Sequence, residues 1–414
     1  MTAAYALIFF VFGALFVWLG GPFGSMPEFG MTSIVGVMLF ALAGALFTTR
    51  HSRSYRITLN RPGFLSLSLI ALSAVVLLVL AVVLQRHGPS AAVYVLMGKT
   101  PPDSILNGAY REKLPLRALV PPLVVAMLLC AWLLATLRRR ILLPLGVTGL
   151  AVAFTGIFET RHVMVWAILY FLLLKYLYMQ QFIAHLRSMG LRRLLIPAAM
   201  LIFCFSVFVA FGNARSGLTS ADSERFAEAM ALEPPYTQLP MNGVWVVIYG
   251  FGGFARGIAN APYVPVVTFN PPEKILPGPM QFLVTSGHIN LPGFGSTRFS
   301  AQGYALDAWH TYGLYFGLIG AVVFFALFFL IYYLMVRSLE RRLARGQGFS
   351  SLATAFLLWL SMRLALLPVG DYVCDFAALM ELTFLLGLFW IAQIRIEPQS
   401  DAAAKTAAHG AAAA

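Results

Sequence analysis

The chain has 414 residues, 60% of them hydrophobic and 11% charged, and a mean hydropathy of +0.80. An ordinary soluble domain carries about 25% charged residues, so this composition excludes one and predicts a multi-spanning membrane protein. The formal net charge of +13 lies in short basic clusters between apolar runs rather than in one block; this is the pattern of the positive-inside rule and excludes nucleic acid as the partner.

A bilayer core takes about 20 mostly apolar residues per helix. Tyr5 to Leu19 leads out and Thr32 to Phe47 returns, ending at a basic clamp of Arg50, Arg53, Arg56 and Arg61. The first run has no basic flank before it and continues into Gly20, Gly21 and Pro22, so it reads as a span and not as a cleavable signal. Phe64 to Leu84 goes out, Gln85 to Pro115 forms a polar external loop, and Ala118 to Leu137 returns to Arg138, Arg139 and Arg140. Leu142 to Phe158 and Val163 to Tyr178 follow as a hairpin closed by Glu159, Thr160, Arg161 and His162. Arg187, Arg192 and Arg193 mark the inside again, and Leu195 to Phe211 leads out to a proline- and glycine-rich insert. Within the insert a short helix is expected at Asp222 to Leu232, with Asp222 as cap and Glu224 in the first turn.

Val244 to Phe254 is apolar but too short to cross, and reads as a re-entrant or interfacial segment. Parity agrees. If it crossed, the cluster Arg337, Arg341, Arg342 and Arg345 after the span Tyr312 to Val336 would fall outside, against the charge rule. Leu352 to Leu367 and Ala377 to Ile394 then bring the C-terminus inside, giving ten spans with both ends cytoplasmic.

The junction Leu291 to Gly320 turns a polar, glycine-punctuated loop into a membrane helix. A helix starting near Tyr304 places Asp307, His310, Gly313 and Gly317 on one face. Gly313, Gly317 and Ala321 form a small-x-x-x-small ladder along which a neighbouring helix can pack closely in lipid.

Several arginines carry candidate chemistry. Arg161 lies on the short external turn, Arg215 just beyond a span, Arg256 among glycines in GFGGFARG, and Arg298 shortly before the junction helix. Arginines at helix ends also snorkel to head groups, but the guanidinium fork suits phosphate. Glycines around Arg256 let backbone donors approach the same anion. Arg363 stands between LLWLSM and LALLP, deep in an apparent membrane helix, where cost makes a functional or paired role the default, with Asp371 and Asp375 as candidate partners. His310 has Asp307 one turn away to fix its tautomer. There is no P-loop, no strand-associated G-x-G-x-x-G and no D-x-D pair for holding a divalent ion on a nucleotide sugar, so neither ATP nor a nucleotide donor is expected. Cys130, Cys204 and Cys374 lie far apart in or beside apolar segments, with neither a disulfide framework nor zinc spacing.

The one large external loop before the last helices, the hairpin ending in ETRHVMVWAIL and the junction YALDAWHTYGLYFGLIG resemble the bacterial O-antigen polymerases, or oligosaccharide repeat-unit polymerases, to which the O-antigen ligases are related. The resemblance implies an all-α polytopic bundle of about ten transmembrane helices, similar to the C-superfamily glycosyltransferases. It would have about seven spans in residues 1–212, a large periplasmic loop in 213–304, three more spans in 305–396, and a disordered alanine-rich tail in 397–414. It further implies a glycan donor on undecaprenyl pyrophosphate, no metal or other cofactor, membrane lipids as surroundings, and a chain-length regulator protein as a candidate partner. By motif position, Arg161 and Arg215 correspond to the pyrophosphate-binding arginines and His310 to the base. Thr311 stands where the ligases usually carry a short polar residue such as asparagine. The expected activity is metal-independent, inverting polymerisation of lipid-linked repeat units at the periplasmic face of the bacterial inner membrane. Catalysis would fall to His310 and Asp307, and substrate binding to Arg161, Arg215, Arg256, Arg298 and Arg363. Ligation of the glycan onto lipid A core, and transport of the lipid-linked oligosaccharide by a flippase, are the alternatives.

Overall fold

The computed structural model describes residues 55–97, 99–108, 119–138, 142–158, 162–174, 220–230, 232–248, 307–366 and 376–398, together with scattered positions among 15–23, 202–218, 251 and 266–267. The elements, in chain order, are β1 (Tyr55–Leu59), α1 (Pro62–His87), α2 (Ala91–Leu96), a 3-10 turn (Asp103–Gly108), α3 (Val120–Arg138), α4 (Leu142–Phe158), α5 (His162–Leu172), α6 (Ser223–Ala229), α7 (Asp307–Ala344), α8 (Ser351–Leu366), α9 (Phe376–Ala392) and β2 (Ile394–Pro398). The chain is mostly helical, and α1 and α7 from Gly317 onward are long and apolar enough to cross a membrane. The expected spans at Tyr5 to Leu19, Thr32 to Phe47 and Leu195 to Phe211 lie almost wholly outside the described residues.

Two compact units divide the chain. One comprises residues 50–217, 335–362 and 380–414. Here α1 begins at Pro62, whose fixed φ suits the first helical position, behind Arg61, whose guanidinium lies 5.8 Å from the Phe64 ring centroid. Its 26 residues rise about 39 Å at about 1.5 Å per residue, enough for a hydrocarbon core of about 30 Å. Leu65, Leu69, Val76, Leu80 and Val83 are buried while Leu67, Ile70, Leu77 and Leu78 are exposed. A helix that is apolar on its outward as well as its inward side fits a lipid surrounding.

The buried stripe of α1 packs on α3, which also packs on α4 and α5. Every residue of α3 from Val124 to Ala131 is buried. Trp132 extends the packing, donating from Nε1 to Thr148 Oγ1 at 3.4 Å and meeting Phe171 edge-on at 5.6 Å. The expected polar loop Gln85 to Pro115 is in part helical and packed. Ser90, fully buried, donates to the Gly156 carbonyl at 2.7 Å and so fastens the start of α2 to α4.

An all-α fold needs one correction: β1 and β2 form an antiparallel ribbon with Ile57 opposite Ile396. The last helix therefore stops at Ala392 and the chain from Ile394 is strand, where the sequence suggests helix to Ile394. Gln393, at φ 53°, turns the chain between them. Ile394 and Ile396 are buried and Arg395 is exposed, the two-residue period of a half-covered strand. Phe349 adds a bridge to Ile396.

The other unit comprises residues 1–49, 218–334 and 363–379. The helix expected at Asp222 to Leu232 is shorter, Ser223–Ala229, with Asp222 at the cap position but making no side-chain cap bond. Residues 241–248 are helical. Met241, Val244, Trp245 and Ile248 are buried at helical spacing while Val246 is 51% exposed, and Trp245 meets Phe226 of α6 at 5.0 Å. The Glu233 amide donates to the Pro22 carbonyl at 2.8 Å, tying the insert to residues near the N-terminus.

The junction helix also differs from expectation. Gly317 has φ 72° and ψ 170°, which interrupts α7. The face shared by Asp307, His310 and Gly313 therefore ends at Gly317 instead of running through it. Beyond the break Gly317, Ala321 and Phe325 are buried, whereas Ile319, Val323 and Leu327 are exposed. The small residues do face protein, four apart along one seam.

Candidate functional site

An ionisable side chain inside an apolar helix is expensive unless it is paired, so the polar groups buried in the helices mark where to look. Glu381 interrupts the apolar run of α9 and is 1% exposed. Its Oε1 accepts a hydrogen bond from the hydroxyl of Tyr170 in α5, itself fully buried. Glu381 lies five residues into α9 and Tyr170 eight residues into α5, about 8 and 12 Å along the axes at about 1.5 Å per residue. The phenol supplies a donor and the carboxyl an acceptor in a place closed to water, where such a bond is strongest and its loss most costly.

Arg363 is completely buried and among the largest such side chains of the described residues. It stands in the last turn of α8, three residues before Leu366. Asp371 and Asp375, the partners expected for it, lie outside the described residues, as do Arg161, Arg215, Arg256 and Arg298. Asp307 and His310 fall in the first turn of α7, three residues apart and hence on adjoining positions of one face.

The Tyr170–Glu381 pair is absent from the sequence reading. The signal was available: a single glutamate in FAALMELTFLLGLFW satisfies the same rule that singles out Arg363. Its partner carried no such signal, because a tyrosine in an apolar helix is ordinary.

No known protein family, curated protein or solved structure matches the chain. The class defined by fold and composition is a mostly helical protein with at least two helices fit to cross a membrane.

Proposed function

We propose that this chain is an inner-membrane, ten-span, inverting glycosyltransferase that polymerises undecaprenyl-pyrophosphate-linked repeat units on the periplasmic side. The observation that carries the reading is Arg363, a guanidinium fully buried in an apolar helix, at the end that the basic clusters assign to the outside. A fixed cation there suits a donor whose pyrophosphate enters from the bilayer. In the reaction a hydroxyl at the non-reducing end of one lipid-linked unit attacks the anomeric carbon of the chain held on undecaprenyl pyrophosphate. The bond from that carbon to the pyrophosphate oxygen breaks, and undecaprenyl pyrophosphate leaves with the electron pair. The proton goes to a base at His310, oriented by Asp307, while Arg161, Arg215, Arg256, Arg298 and Arg363 balance the charge developing on the leaving group.

The surface glycan of a deletion strain tests this. A polymerase deletion leaves lipid A core bearing a single repeat unit, because a separate ligase still transfers what was not extended. Bare core with long chains on the carrier lipid would instead identify a ligase.

A second reading has its own support. The interruption of α7 at Gly317 and the buried Glu381 are features of transporters, which use discontinuous helices and intramembrane carboxyls. Lipid-linked units trapped on the cytoplasmic side of the deletion strain would establish that reading and exclude both enzymes.

A further inference from the structure

At the ribbon end of the first-described unit, the end of α7, the start of α8 and β2 enclose an open cleft of about 510 Å³, within the range of about 300–1,000 Å³ typical of small-molecule sites. Its walls include Arg342, Gly348, Ser350, Arg395, Glu397 and Pro398. The chain is shaped to keep it open. Gly346, at φ 71°, ends α7 in a Schellman turn, with its amide bonded to the Leu343 carbonyl and that of Gln347 to the Arg342 carbonyl. Gly348 then passes so close to β2 that a Cβ would stand 2.7 Å from the Ile396 carbonyl oxygen. Phe349 closes the floor, 4% exposed and bonded through its amide to the same carbonyl at 2.7 Å.

The charge in the cleft is unbalanced. Because Ile394 and Ile396 face inward, the alternation of β2 turns Arg395 outward, and its guanidinium donates to Gln393 Oε1. Arg342 has neither an ion pair nor a side-chain hydrogen bond among the described residues, and no ion pair joins either arginine to Glu397. Two guanidiniums thus face one carboxylate, beside the N-terminus of α8, where Ser350 Oγ accepts from the Ala353 amide at 3.3 Å and the helix dipole favours an anion. The cleft also lies where the two long apolar helices terminate, since α1 starts at Pro62 just after β1 and α7 ends at Ala344.

We infer that this cleft binds a phosphate group, from the head group of an anionic phospholipid or from a soluble phosphate ion, held between the forks of Arg342 and Arg395. The inference is independent of the glycosyltransferase reading.

The test uses the full chain purified in detergent, with phosphatidylglycerol, phosphatidylcholine and radiolabelled inorganic phosphate as separate probes, and native mass spectrometry or filter binding as readout. The Arg342→Gln/Arg395→Gln double variant should lose about tenfold or more in retention of phosphatidylglycerol relative to phosphatidylcholine, as expected when charge-assisted bonds are removed. Gly348→Ala, which encroaches on the cleft without changing charge, should reduce retention as well. Arg341→Gln, an exposed cation on α7 outside the cleft wall, should not. If the double variant loses inorganic phosphate while lipid retention is unchanged, the ligand is the soluble ion. If Arg341→Gln matches the double variant, or the double variant retains both probes as wild type does while running as a monodisperse species, the inference is overturned.

Discussion

Tyr170→Phe removes one hydroxyl from a place closed to solvent, so its effect follows from the burial of both partners. Tyr170 is fully buried and Glu381 is 1% exposed, and the phenol donates to Glu381 Oε1. Phenylalanine keeps the ring and its packing but leaves the carboxyl short of a donor, which costs about 1–3 kcal/mol. At about 2–4 °C per kcal/mol for a unit of this size, the midpoint of thermal unfolding in detergent should fall by roughly 2–12 °C. Glu381→Gln keeps an amide oxygen as acceptor for Tyr170 and should cost less than Tyr170→Phe. Replacing both partners, as Tyr170→Phe/Glu381→Leu, should recover part of the loss, because no carboxyl then remains to be satisfied. The coupling between the two substitutions, read from this double-mutant cycle, should reach about 0.5–3 kcal/mol. Simple additivity with an unchanged midpoint for Tyr170→Phe would show that the phenol does not serve the carboxyl.

Gly317→Ala should destabilise the protein by about 1–3 kcal/mol, because φ 72° with ψ 170° belongs to a region essentially reserved for glycine. Gly387→Ala, on α9, where a Cβ meets nothing within 4 Å, should instead be neutral or stabilising by up to about 1 kcal/mol; both are read as shifts in the same thermal midpoint. In a background without Cys130, Cys204 and Cys374, cysteines at Ser220 and Thr285 should both react with an impermeant reagent from outside, and reaction of the first alone would overturn a non-crossing Val244 to Phe254. Arg161→Ala, Arg215→Ala and Arg256→Ala should each lower polymer yield at normal protein level by about 10²–10³, the loss typical of a transition-state donor. Lysine at the same positions should restore only part, since it lacks the fork; normal polymer in both Arg161→Ala and Arg215→Ala would reduce these residues to snorkelling cations.

Helix placement was legible because lipid imposes one dominant signal. Runs of apolar residues ended by arginines locate α1, α3, α4, α8 and α9 to within a few residues. The ribbon was not legible for the opposite reason. YRITL and IRIEP are five-residue segments, too short for alternation to stand out, and each finds its partner at the far end of the chain. Arg56 belongs to the basic clamp that marks a cytoplasmic flank, although strand pairing and a charged flank are compatible when, as in β2, the charged residues alternate with buried isoleucines. The break at Gly317 escaped for a subtler reason. Small-x-x-x-small spacing shows where two helices can approach, and the same glycine that permits the approach also permits φ 72°, a conformation that leaves no mark in the pattern.

The polar groups obey a different rule of legibility. A charged residue among leucines is conspicuous in a sequence, so Arg363 could be singled out by its surroundings alone and is indeed buried. What such a residue pairs with depends on which helices adjoin at that depth, and that information resides in packing rather than in local composition. Tyr170 and Glu381 meet from α5 and α9, helices that no short-range pattern connects. A tyrosine whose hydroxyl holds a buried carboxyl is indistinguishable in sequence from one that fills a gap among leucines. The burial cost nevertheless constrains the chemistry, because a carboxyl removed from water must either be bonded or neutral. Among the described residues the buried ionisable groups Arg363 and Glu381 carry that constraint, and the Tyr170–Glu381 cycle measures how far the phenol meets it for the carboxyl.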